Sequence, residues 1–184
     1  MVNENILTFF QNISLYTIKA IIILDSSGSR VLAKYYDTTF SDLKSQREFE
    51  TGLHEKALKS PQDSITLFKG TTVVYETFLD YNFYIAGDSQ ENELILSETL
   101  DCLIDSIKKM SPQKIYDDKL ITQNLHNIYL LVDELCDNGI LLETDSNVLA
   151  AHCSQKPEDV FFGDQTVVQA LQSAREQLKF SLLK

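Results

Sequence analysis

The sequence predicts an α+β fold: a five-stranded antiparallel sheet in the order 2-1-5-4-3, helices on both faces, and a helical tail. Three observations carry this. The run Ala20-Ile21-Ile22-Ile23-Leu24, preceded by Ile18, has no polar alternation and fits a strand covered on both faces. The strand-type segments come as a pair and then as a group of three rather than alternating with helices, which excludes a doubly wound sheet. Two long patterns with apolar residues three and four apart follow the last strand.

Residues 1–14 read as an N-terminal extension, with Ile6, Leu7, Phe9 and Phe10 able to dock locally. The domain spans 15–153. Its first strand ends at Asp25-Ser26-Ser27-Gly28-Ser29, where Gly28 is free to take positive φ. Val31 to Tyr36 then returns as a more polar, outer strand. Ser41 is placed to cap a helix of about 18 residues, with Leu43, Phe49, Leu53 and Ala57 on its inner side and Pro61 ending it. Ser64–Lys69, Thr72–Leu79 and Phe83–Gly87 follow as a meander, with turns at Lys69-Gly70 and at Asp80 and Asn82. A hairpin leading through a helix to a meander closes as 2-1-5-4-3, which puts the apolar first strand inside.

Ser89 is placed to cap the next helix, with Glu91 and Glu93 near its positive end and Leu96, Leu100, Leu103, Ile107 and Met110 as its stripe. Pro112 breaks it. A third helix is expected from about Lys114, with Ile121, Leu125, Ile128, Val132 and Leu135 inward. Tyr129, Leu130 and Leu131 widen its stripe, so it is expected to be the most buried helix. Asn138-Gly139 is expected to end it as a left-handed cap. Ile140-Leu141-Leu142 and a short helix over Asp145 to Cys153 complete the domain. Residues 154–184 form a linker, opening at Pro157, and an amphipathic helix with Val167, Val168, Leu171, Ala174 and Leu178 on one stripe.

The chemistry of an enzyme is not legible. Asp25-Ser26-Ser27-Gly28 has one glycine, no Gly-Lys-Ser/Thr and leads to a strand, so it is a turn and not a phosphate loop. His54, His126 and His152 stand at no metal-ligand spacing with one another or with Cys102, Cys136 and Cys153. No cofactor, metal or catalytic residue is expected. Three widely spaced cysteines do not make a disulfide framework and fit a reducing cytosol. With 16 Lys plus Arg against 27 Asp plus Glu, net charge −11, the chain is unsuited to nucleic acid or to direct adsorption on an anionic leaflet. No apolar run approaches the roughly 20 residues of a membrane span, and the first residues lack a basic signal-type region.

One charged group stands out: Asp133, Glu134, Asp137, Glu143 and Asp145. Three of them are expected in the last turns of the third helix, where the dipole disfavours anions by ~0.3–1 kcal/mol each. Their spacing does not match a calcium loop. Two readings remain: a solvated acidic face, or a patch that meets Lys and Arg on a partner.

The hairpin Ser14 to Asp37 resembles the opening of the small and medium subunits of vesicle-coat adaptor complexes, and among these most of all the coatomer zeta chains. Thr72-Val73-Val74-Tyr75, Glu91-Asn92-Glu93-Leu94, Val132-Asp133-Glu134, Asp137 to Glu143 and the tail from Gln165 to Gln177 agree in the same order. Where sigma-type small chains carry a Gly-Gly-Glu-Ile-type turn, this chain has Asp137-Asn138-Gly139-Ile140. A sigma-type chain that takes part in sorting-signal recognition is the alternative. The resemblance implies a longin-type, SNARE-like fold and a non-enzymatic subunit of the COPI coat. It implies binding to the trunk of the large gamma subunit, association with the other coatomer subunits, and recruitment to Golgi membranes through an Arf-family GTPase. The implied role is Golgi-to-ER retrograde and intra-Golgi transport, with membrane contact only indirect. Asp133, Glu134, Asp137, Glu143 and Asp145, together with Val168, Leu171 and Leu178, are the expected partner-binding residues.

Overall fold

The computed structural model describes residues 17–59, 64–111 and 119–154. The chain divides into two units, Met1–Cys153 and Ser154–Lys184. The expected N-terminal extension, the start of the third helix near Lys114, and the tail stripe with Val168, Leu171 and Leu178 lie outside the described residues.

Five strands form the sheet: β1 (Ile18–Asp25), β2 (Arg30–Tyr35), β3 (Ile65–Phe68), β4 (Thr71–Phe78) and β5 (Tyr81–Asp88). Their order is β2-β1-β5-β4-β3, every pair antiparallel, as the sequence predicts. β1 lies inside, and each of its residues from Ala20 to Leu24 is fully buried. The register against β5 shifts between Ile18 and Ala20, so Lys19 is the extra residue of a bulge. Period two would put Ile18 on the side of Ala20. The bulge instead sends it into one core with Ile21 and Ile23, while Ala20, Ile22 and Leu24 line the other.

These two cores show helices on both faces. On one face α1 (Leu43–Lys59) seats Phe49 and Leu53 over Ala20, Ile22, Val73, Tyr75, Tyr84 and Ala86. On the other, α2 (Glu93–Met110), the short α3 (Leu120–Gln123), α4 (Leu125–Leu135) and α5 (Ser146–Ser154) cover Ile21, Ile23, Val74, Phe83 and Ile85. Each large side chain removed from water contributes about 1.5–3 kcal/mol. Between α4 and α5, β6 (Cys136–Asp137) and β7 (Ile140–Leu141) make a small separate hairpin.

Several local expectations need correction. Asp42 caps α1, not Ser41: its Oδ2 accepts the Ser45 N–H at 3.3 Å. Ser41 instead closes a single 3-10 turn, Thr38–Phe40, opened by Asp37, whose Oδ1 accepts from the Thr39 N–H at 2.8 Å. Asn92 caps α2, not Ser89, accepting from the Leu94 N–H at 2.9 Å. Leu43 is not on the buried stripe of α1 but 67% exposed, because it precedes the first residue that reaches the sheet. The β4–β5 turn is Leu79-Asp80, with Leu79 at φ 55°, and Asn82 lies within β5.

Asn138-Gly139 is a hairpin turn rather than a helix cap. Both residues have positive φ, 49° and 84°, but α4 has already ended at Leu135 and β6 precedes the turn. Both devices require the same left-handed backbone. Nor is α4 the most buried helix. Tyr129 is 40% and Leu130 46% exposed, whereas α2 buries Leu96, Leu100, Leu103, Ile104 and Ile107 almost completely.

Candidate interaction surface

The acidic residues singled out from the sequence are distributed over three places. Asp133, on the outward side of α4, pairs with Lys34 of edge strand β2. Glu134 lies 3.7 Å from His152 Nδ1 on α5. Glu143 and Asp145 serve the backbone: Glu143 Oε1 accepts the N–H groups of Thr144 and Asp145 at 2.8 Å each. Asp145 Oδ1 accepts the Asn147 N–H at 2.8 Å and so caps α5. Hydrogen bonds from the backbone N–H and side chain of Asn147 hold the Asp145 carboxyl below the usual range. Asp137 sits in β6, not in a helix, and is exposed with no ion pair among the described residues.

The outward side of α4 thus joins Asp133 and Glu134 to the exposed pair Tyr129 and Leu130, one helical turn earlier. The sequence predicts those two apolar residues in the core. The signal was present: Ile128, Leu131, Val132 and Leu135 already make a complete inward stripe, so Tyr129 and Leu130 fall outside it.

The three cysteines are buried and free. Burial pushes all three thiols up, that of Cys153 to about 11, which removes them from nucleophilic chemistry. A hollow of about 610 Å³ beside α1 is lined by Leu43, Lys44, Arg47, Glu48, Thr51, Gly52 and Glu55. Its described lining is one helix face with mixed charges, and among the described residues it brings no nucleophile and base together. Among the described residues no three His, Cys, Asp or Glu could hold a metal ion, and no helix is long and apolar enough to cross a membrane.

A sheet covered on both faces, with apolar residues exposed beside acidic ones on the outward side of a helix, is the architecture of a protein–protein interaction subunit. The family model for the clathrin adaptor complex small chain matches residues 17–159. Coatomer subunit zeta-1 of Homo sapiens is 43% identical over 171 residues, 93% of this chain and 96% of the relative. The probable coatomer subunit zeta-A of Dictyostelium discoideum is 37% identical, over 92% and 98% of the two chains. A chain in a homology model of the full-length AP-3 complex in a stretched open conformation shares the fold, with TM-score 0.58, 16% identity, and coverage of 87% and 98%. The chain belongs to the clathrin adaptor small chain family and, within it, to the coatomer zeta subunits of the COPI coat. It is a non-enzymatic coat subunit of vesicle transport.

Proposed function

We propose that the chain joins coatomer by binding the helical-solenoid trunk of the large gamma subunit, with the outward face of α4 as its main contact. The observation that carries this is the exposed pair Tyr129 and Leu130, one helical turn from Asp133 and Glu134, with Asp137 exposed in β6 and without an ion pair among the described residues. Exposed apolar surface rimmed by charge is the usual composition of a docking site. The acidic rim selects a partner surface rich in Lys and Arg. The tail stripe of Val168, Leu171 and Leu178 adds a second partner contact in this reading. With net charge −11, the chain reaches anionic Golgi membranes and vesicles through its partners and an Arf-family GTPase. There it supports retrograde and intra-Golgi transport.

Co-purification of the full chain with the gamma trunk tests the proposal. Asp137→Lys and Leu130→Ser are each expected to weaken the complex by about tenfold, with the far-UV spectrum and melting temperature of the free chain unchanged. Leu171→Asp is expected to weaken it further. Undiminished binding by Asp137→Lys and Leu130→Ser would remove α4 from the interface.

A further inference from the structure

β3 carries a feature of opposite sign. It ends the sheet, and among the described residues no strand pairs with its outer side. The Tyr75 N–H donates to the Ser64 carbonyl at 2.8 Å, and Thr66 and Phe68 sit opposite Val73 and Thr71. Alternate residues therefore face β4, and the backbone groups of Ile65 and Leu67 point outward. The side chains of these same two residues are 45% and 61% exposed. They project from the α2 side of the sheet, since Ile65 stands opposite Val74 of that core.

The other side of the edge is basic. The Lys56 ammonium donates to the outward Leu67 carbonyl at 2.7 Å. It lies 5.8 Å from the centre of the Phe68 ring, and Lys69 Nζ lies 5.7 Å from the same ring. One aromatic ring thus gathers two cations. Lys59 follows on the exposed end of α1. None of the three lysines makes an ion pair among the described residues, although acidic residues outnumber basic ones 27 to 16. A lysine laid on an edge carbonyl is also the device by which folded proteins discourage unwanted strand addition.

We propose that the β3 edge receives an extended segment of a partner protein whose residues alternate between acidic and apolar. Period-two geometry dictates this pattern. Side chains on the α2 side meet Ile65 and Leu67 and are apolar; those on the α1 side meet Lys56 and Lys69 and are acidic. The incoming backbone bonds to the outward groups of Ile65 and Leu67. Lys56 leaves the Leu67 carbonyl for the carboxylate, so the guard opens to an acidic strand and stays shut to a neutral or basic one. This surface is separate from the α4 face and does not depend on it.

The test uses the full chain and two synthetic seven-residue peptides, one alternating glutamate with valine and one alternating lysine with valine. The acidic peptide is expected to bind and to slow amide exchange of Ile65 and Leu67 by at least about tenfold at saturation. The basic peptide is expected not to bind. Lys56→Glu with Lys69→Glu should weaken the acidic peptide by about tenfold or more at unchanged melting temperature, while Asp137→Lys should leave it unaffected. Equal binding of both peptides, indifference to the lysine substitutions, or protection elsewhere on the chain would overturn the proposal. So would protection of Ile65 and Leu67 that appears on raising the chain's own concentration without peptide, which would assign the edge to a second copy.

Discussion

The Gly139 carbonyl accepts the Ile18 backbone N–H at 3.1 Å, and a Cβ added to Gly139 would stand 2.6 Å from the Ile18 carbonyl oxygen. This contact fastens the small β6–β7 hairpin to the first residue of the inner strand β1. Tyr36 reinforces it, its hydroxyl donating to the Cys136 carbonyl at 3.2 Å.

Gly139→Ala is therefore expected to cost about 2–3 kcal/mol. The residue sits at φ 84°, where a Cβ is strained, and the neighbouring backbone cannot yield as a side-chain tip would. Urea unfolding measures the loss. Gly70→Ala is the control: it shares the positive φ, at 73°, but meets nothing within 4 Å. It should cost only the conformational part, about 1–2 kcal/mol. Equal losses at the two positions would show that the contact with Ile18 contributes nothing.

The Arg30–Glu50 pair fixes α1 to edge strand β2. Their closest approach is 2.6 Å, Glu50 is 3% exposed, and Tyr35 donates its hydroxyl to Glu50 Oε1 at 2.8 Å. Burial, and then the neighbouring carboxylate, push the Tyr35 hydroxyl well above its ordinary range. Removing Arg30 strands the buried Glu50 carboxylate, so Arg30→Met is expected to cost about 3–5 kcal/mol. Arg30→Met with Glu50→Leu should recover much of that loss. A double-mutant cycle by chemical denaturation reads the coupling; a coupling near zero would mean that the pair is solvated.

Which parts of this architecture were legible follows from range. The run from Ala20 to Leu24 announced a doubly covered strand because covering both faces needs only local composition. The strand order followed from short connections. The Arg30–Glu50 pair was not legible, since it depends on a register shift in the β1–β2 ladder that leaves Val31 as an extra residue and places Arg30 opposite Leu24. The cap of α1 falls one residue beyond Ser41 because a 3-10 turn cannot be told from the first turn of a helix by residue type, and the cap of α2 falls at Asn92 because Ser89 lies in the turn that follows β5. Asp133, Glu134 and Asp137 were picked out as charged residues, but their apolar companions Tyr129 and Leu130 were assigned to the core. Apolar residues on two sides of a helix do not say which side meets the sheet.

Lys19 makes the chain's acid response specific. Its ammonium lies 2.7 Å from Asp88 and 3.4 Å from Asp37. Burial opposes its charge, but the two carboxylates outweigh this and raise its pKa above 10.5. The hydrogen bond from Lys19 lowers Asp88 below 3.8, and the Thr39 backbone N–H, with a smaller contribution from Lys19, lowers Asp37. A carboxyl depressed in the folded state stabilises it above the unfolded value, and that stability is lost as pH falls through the folded value. Melting temperature should therefore fall below about pH 4, and less steeply in Lys19→Met. At the alkaline end the raised lysine loses its contribution as pH rises past its folded value, so the two proteins should converge there. Parallel acid curves for the two would exclude Lys19 as the source.

Tyr84 offers the opposite kind of test, a substitution expected to stabilise. It is 1% exposed between α1 and the sheet, and its hydroxyl has no hydrogen-bond partner among the described residues. Burial, assisted by neighbouring Tyr75, pushes the hydroxyl up to about 12, so the phenol stays neutral in this core. A buried hydroxyl without a partner costs about 1–3 kcal/mol, while the ring packs against Tyr75 at a centroid distance of 5.8 Å and is retained in phenylalanine. Tyr84→Phe should raise unfolding stability by about 1 kcal/mol, read from the urea midpoint at unchanged slope. A loss of stability would mean that the hydroxyl is hydrogen-bonded in solution and that this core is wetter than its apolar lining implies.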